Sequence, residues 1–197
     1  MTTSALNPTG VLPPAQRPKV ISDAEVGTLI LVTTEIMFFV ALISAYMVIR
    51  AGTNASWVPP VGVRLPVPAT AFNTAMLLIS GLLTALAVLR FEGNPGRARL
   101  MFIVATGLGG FFVLFQGYEW VQLITYGMTM TSGIFGATFF LLIGSHGLHV
   151  LGGVLAMLYV HRRWQRGQLT KGGIRAMFIF WAFVVGIWPV LYGLVYF

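Results

Sequence analysis

Residues 176–197 read AMFIFWAFVVGIWPVLYGLVYF, twenty-two positions without one charged side chain. A helix needs about 20 apolar residues to cross the hydrocarbon core of a bilayer. In lipid such a stretch has no choice but helix, because its backbone N–H and C=O groups find no water and must pair within the segment. Four further stretches upstream meet the same test. They are about Val26–Val48, with Glu35 as its only charge, and about Ala69–Leu89, with none. Next come about Leu100–Ile124, carrying Gln116 and Glu119 near its far end, and about Ile134–Val160, carrying His146 and His149. The fold read from these is all-α: a polytopic membrane bundle of five transmembrane helices over residues 25–197. Residues 1–24, with Pro13-Pro14, read as an extended arm. The arm lacks the long apolar core and cleavage site of a secretory signal.

Composition agrees. Of 197 residues, 57% are apolar and 9% charged, against about 45–50% and about 25% in soluble domains, so there is too little polar surface to cover a globule in water. With no cysteine, disulfide scaffolds, thiolate metal sites and cysteine nucleophiles are excluded. The net charge of +7 raises nucleic acid as a partner, and the positions of the charges remove it. Arg17, Lys19, Arg90, Arg97, Arg99, Arg162, Arg163, Arg166, Lys171 and Arg175 fall on one side of a five-span chain, leaving Arg50 and Arg64 on the other. Short loops rich in Lys and Arg stay inside, which predicts a cytoplasmic N-terminus and an external C-terminus. Pro95-Gly96 and Gly172-Gly173 are expected to form the cytoplasmic turns. The loop holding Trp57, Pro59, Pro60, Pro66 and Pro68 is expected to lie stiffly on the outer surface.

An intramembrane carboxylate is costly and points inward to a partner. Glu35 is therefore either a proton-carrying or lipid-organising group, or a structural one that joins helices. His146 and His149 are three residues apart and share a helix face. That spacing cannot place two imidazoles on opposite sides of a haem iron, and the repeated Glu-x-x-His of dinuclear carboxylate sites is absent, so no metal site is read and interhelical hydrogen bonding is expected. Depth pairs Glu35 with His149 as a buried polar pair: counted from the cytoplasmic helix ends they lie roughly 14 and 16 Å in at 1.5 Å per residue. Asn73, Gln116, Glu119 and His146 are expected to form a polar cluster that joins helices nearer the outer side. Gly107, Gly109, Gly110, Gly117, Gly136, Gly144, Gly147, Gly152 and Gly153, with the pair Gly81 and Ala85, are expected to let helix backbones approach closely.

In order along the chain, Thr34-Glu35-Ile36-Met37-Phe38-Phe39, Phe72-Asn73-Thr74-Ala75, Gln116-Gly117-Tyr118-Glu119-Trp120, Phe135-Gly136-Ala137-Thr138-Phe139-Phe140 and His146-Gly147-Leu148-His149-Val150 resemble the motifs of subunit III of the haem–copper oxidases. The resemblance spans about residues 24–197 and is to the five-helix form, which lacks the first two helices of the commoner seven. It implies a non-catalytic subunit of a proton-pumping terminal oxidase in the bacterial inner membrane. Such a subunit packs on subunit I, binds phospholipid and supports sustained proton uptake, while haem and copper sit in partner subunits and none is bound by this chain. Subunit II, a small subunit IV and a respiratory supercomplex are further partners it implies. It also implies a buried reactive carboxyl at Glu35 and a lipid phosphate at Arg163, with Arg162 beside it. The last helix departs from the family pattern, with Ala182 and Val185 where the family carries His and Asp. That departure leaves open the accessory protein of a nitric oxide reductase. A small proton-coupled transporter component is the other alternative, although the inverted repeats and broken helices of transporters are not visible.

Overall fold

The computed structural model describes residues 21–53, 57 and 66–197. Most of the expected arm and of the loop between the first two spans, with Arg17, Lys19, Pro59, Pro60 and Arg64, lies outside these residues. Five helices follow in order: α1 (Asp23–Thr53), α2 (Val67–Arg90), α3 (Pro95–Thr125), α4 (Ile134–Gln165) and α5 (Lys171–Tyr196). All five are long and apolar enough to cross a membrane, and no strand occurs among the described residues.

Helices α1, α3 and α5 begin before their apolar stretches because their N-termini are capped by polar residues that a hydropathy reading discards. Ser22 and Glu25 form a reciprocal capping box: Ser22 Oγ accepts from Glu25 N at 3.3 Å and Glu25 Oε2 accepts from Ser22 N at 2.7 Å. Helix α1 thereby starts at Asp23, inside the expected arm. Pro95-Gly96 is not a turn. Asn94 caps α3 by accepting from Arg97 N at 3.1 Å, and Pro95 takes the first helical position, where its fixed φ suits a helix and its missing N–H costs nothing. Gly172-Gly173 likewise lies in the first turn of α5, capped by Thr170, whose Oγ1 accepts from Gly173 N at 3.1 Å. The reversal before it falls at Gly167, with φ +66°.

Helix α5 forms the middle of the bundle, packing against α1, α2 and α4; α3 packs against α2 and α4, and α1 meets α4 only lightly. Of α1, only Glu25, Phe39 and Tyr46 are buried. Polar groups on α2 tie the core together. Trp181 Nε1 donates to Ser80 Oγ at 3.0 Å, and Ser80 Oγ donates to the Ala105 carbonyl at 2.7 Å. Two turns further along α5 Trp188 Nε1 donates to Thr74 Oγ1 at 2.8 Å, and beyond it Tyr192 OH donates to the Val67 carbonyl at 3.0 Å. The glycines divide into two groups. A Cβ on Gly109 or Gly153 would stand 2.8 or 2.7 Å from the Trp181 ring, and one on Gly147 would stand 3.2 Å from Trp120, whereas Gly107, Gly110, Gly117 and Gly152 face open space. The close approach is therefore of tryptophan rings to glycines more than of backbone to backbone.

Candidate functional site

Helices α1 and α4 are bridged by one polar pair, with His149 Nε2 2.8 Å from Glu35 Oε2. The other ring nitrogen, Nδ1, is 2.7 Å from the Ser145 carbonyl. A carbonyl only accepts, so Nδ1 carries a proton and donates it. The contact at Nε2 then has two forms: a protonated Glu35 donating to the Nε2 lone pair, or an imidazolium donating to the carboxylate. Both hold one proton between Oε2 and Nε2, and the pair as a whole is neutral. This suits its position, since a net charge in the membrane is costly and a hydrogen-bonded pair satisfies both groups. Phe39 packs edge-on to the imidazole with centroids 5.1 Å apart, and Phe38 lies at 6.0 Å. The pair is not buried within the chain as expected: the side chains remain 23% (Glu35) and 20% (His149) exposed, because α1 meets α4 only lightly, so the pair sits at the membrane-facing seam of the two helices.

Between this seam and α5 lies a groove of about 430 Å³ lined by Thr28, Leu31, Gly152, Ala156, Ala176 and Phe180, among others. Gly152, Ala156, Val160 and Arg163 recur at helical spacing on α4, so they share one face. Arg163 and Arg162 both lie exposed in the last turn of α4, where cations are favoured by the helix dipole. Arg163 Nη2 donates to the Gln168 carbonyl at 3.2 Å. Nearby Arg175 lies 3.7 Å from Glu25, and Lys171 pairs with Glu92.

The expected outer cluster is brought together in part. Glu119 Oε2 accepts from Thr70 Oγ1 at 3.1 Å and from Gln116 Nε2 at 3.3 Å, and Asn73 Nδ2 donates to the Phe112 carbonyl at 3.3 Å. All four residues are buried. His146 is not part of this network. It is fully buried, and neither ring nitrogen has a partner among the described residues. It stacks on Trp188 at 4.8 Å, with Phe112 edge-on at 6.1 Å. The physical reason is azimuth: residue 146 faces the aromatic centre of the bundle, whereas Glu119 faces the hydroxyl of Thr70 on α2. Sequence reasoning missed Thr70, Thr74 and Ser80. Their signal was present as a stripe of Thr, Asn and Ser at positions 70, 73, 74, 80 and 84 in an otherwise apolar helix.

A family model described as cytochrome c oxidase subunit III matches residues 10–197. The chain belongs to that family. Curated relatives named as probable cytochrome c oxidase subunit 3 include that of Mycobacterium leprae, 34% identical over 92% of this chain and 89% of the relative. Another is that of Nocardia farcinica, 33% identical over the same shares. The cytochrome c oxidase subunit 3 of Corynebacterium diphtheriae is also 33% identical, again over 92% and 89%. As an oxidase subunit III, the chain is part of an oxidoreductase complex with the other oxidase subunits and is a multi-pass protein of the bacterial inner membrane. The two departures in α5 have simple surroundings here. Val185 is buried with its side chain against Gly81, and Ala182 faces outward, so the position where the family carries Asp is filled by an apolar contact. No group of three or more His, Cys, Asp or Glu that could hold a metal ion occurs among the described residues.

Proposed function

We propose that this subunit III is a non-catalytic partner of oxidase subunit I, with haem and copper carried by the partner subunits, and that it holds phospholipid and sustains proton uptake. It is oriented with its N-terminus in the cytoplasm, since ten of its twelve Lys and Arg residues fall on that side. The observation that carries the reading is the arrangement on α4. A neutral Glu35–His149 pair spans the α1–α4 seam, an apolar groove lies below it, and Arg163 follows on the same helix face at the level of lipid headgroups. A phosphate at Arg163 and Arg162 with an acyl chain in the groove satisfies both the charge and the apolar walls. The pair keeps α1 against α4 without leaving a charge in the chain region.

Replacing Arg162 and Arg163 by Gln in the purified oxidase tests this reading. Native mass spectrometry is expected to show fewer retained phospholipids, and the enzyme to complete fewer turnovers before losing activity, while its initial rate is kept. Unchanged lipid retention together with an unchanged number of turnovers refutes the lipid-holding role.

A further inference from the structure

Helix α4 carries a second groove on its opposite flank. Gly107 and Gly110 of α3 and Val154, Leu158 and His161 of α4 are among the residues that bound about 370 Å³. An engineered cavity of about 150 Å³ takes a benzene molecule, so this space is of hydrocarbon-chain size. The glycine floor is clear, because a Cβ on Gly107 or Gly110 would meet nothing within 4 Å. The face is distinct from that of Arg163: residues 154, 158 and 161 follow one helical row and 152, 156, 160 and 163 another.

The mouth of this groove has polar chemistry of one kind. His161 Nε2 lies 2.9 Å from Gln165 Nε2. An amide nitrogen donates, so Nε2 accepts and the neutral ring keeps its proton on Nδ1. That N–H has no acceptor among the described residues. Arg99 lies one turn before Ile103, a lining residue on α3, is exposed, and forms no ion pair among the described residues. Among the described residues, a donor lacking an acceptor and, one turn past the α3 lining, a guanidinium lacking an anion thus mark the end of this apolar groove on the basic side of the chain. Basic pockets between transmembrane helices on that side are suited to anionic lipid headgroups.

We propose that the α3–α4 groove holds an acyl chain of an anionic phospholipid whose phosphate is bound by Arg99 and by the Nδ1–H of His161. A partner helix could use the glycine floor, but would leave the unpaired donor and the guanidinium without an anion. The site is independent of the one proposed at Arg163.

The purified oxidase is exchanged into bilayers of mixed phosphatidylglycerol and phosphatidylcholine, and retained lipids are counted by native mass spectrometry. Arg99→Gln is expected to lose one phosphatidylglycerol. Gly110→Leu, which fills the groove without changing charge, is expected to lose the same molecule, so the double variant loses no more than either. Arg163→Gln is expected to lose a different lipid, and its loss adds to that of Arg99→Gln. If Gly110→Leu does not assemble, His161→Phe replaces it, since it changes only the rim. Full phosphatidylglycerol retention in Arg99→Gln overturns the proposal. So does retention of phosphatidylcholine at the same site regardless of Arg99, or a cross-link from Gly110→Cys to a partner subunit that places a helix in the groove.

Discussion

Replacing Gly109 by alanine puts a methyl group into space already held by Trp181. The added Cβ would stand 2.8 Å from two ring carbons, Cη2 and Cζ2, and 3.2 Å from a Val154 methyl. Optimal carbon contacts are about 3.5–4.0 Å, so the ring must move by nearly an ångström. It is poorly placed to do so: Trp181 is fully buried, its Nε1 is bonded to Ser80, and the Cβ position of Gly153 closes on it from α4 at 2.7 Å. Overpacking of a tight core costs about 1–3 kcal/mol, and the upper half of that range is expected here. Gly107 lies two residues away on the same helix and faces open space. There alanine removes the helix-propensity penalty of glycine, worth up to about 1 kcal/mol. The two substitutions should therefore change stability with opposite sign. The assay is protease susceptibility of this chain in the purified oxidase as temperature is raised. At about 1.4 kcal/mol per tenfold change in an equilibrium constant, Gly109→Ala should raise the cleavable fraction about tenfold or more. Gly107→Ala should lower it or leave it unchanged. Trp181→Phe, with a smaller ring, should recover most of the Gly109→Ala loss in the double variant. Equal and small effects at both glycines, or no recovery with Phe, would refute the packing assigned to Trp181.

Glu35→Gln and His149→Phe should each loosen α1, by about 0.6–1.7 kcal/mol as for other interhelical hydrogen bonds in membranes. The double variant should cost less than the sum, and strict additivity in the same protease assay would deny that the two side chains act as a pair. Thr70→Val removes a donor to the buried Glu119 carboxyl and should cost about 1–3 kcal/mol. Val185→Ala at the apolar contact with Gly81 opens only a small gap and should cost less than Thr70→Val, and the reverse order would count against the outer network. An alkaline phosphatase fusion at the C-terminus should be active, and activity of a cytoplasm-only reporter there would reverse the topology drawn from the basic loops.

The number of spans, their order and the single plausible partner for Glu35 were legible in the sequence. Hydrocarbon admits only helices of a minimum length, and a fixed rise per residue converts position into depth. Depth was enough for Glu35 and His149 because no other ionisable side chain was expected at that level. It did not settle His146, which was expected in the outer network but whose azimuth directs it onto Trp188. Azimuth is what such a sequence conceals. A helix apolar on every side carries no stripe to mark its inner face, so nothing in the residue pattern separates Gly109, which holds a tryptophan ring, from Gly107, which opens onto a groove. Only the packing of α3 between α2 and α4 decides that, as it decides that Thr70 and Ser80 face neighbouring helices rather than lipid. The helix ends were misread for the opposite reason. Ser22, Asn94 and Thr170 are capping residues legible by local rules, but they lie outside the apolar windows by which a membrane span is recognised.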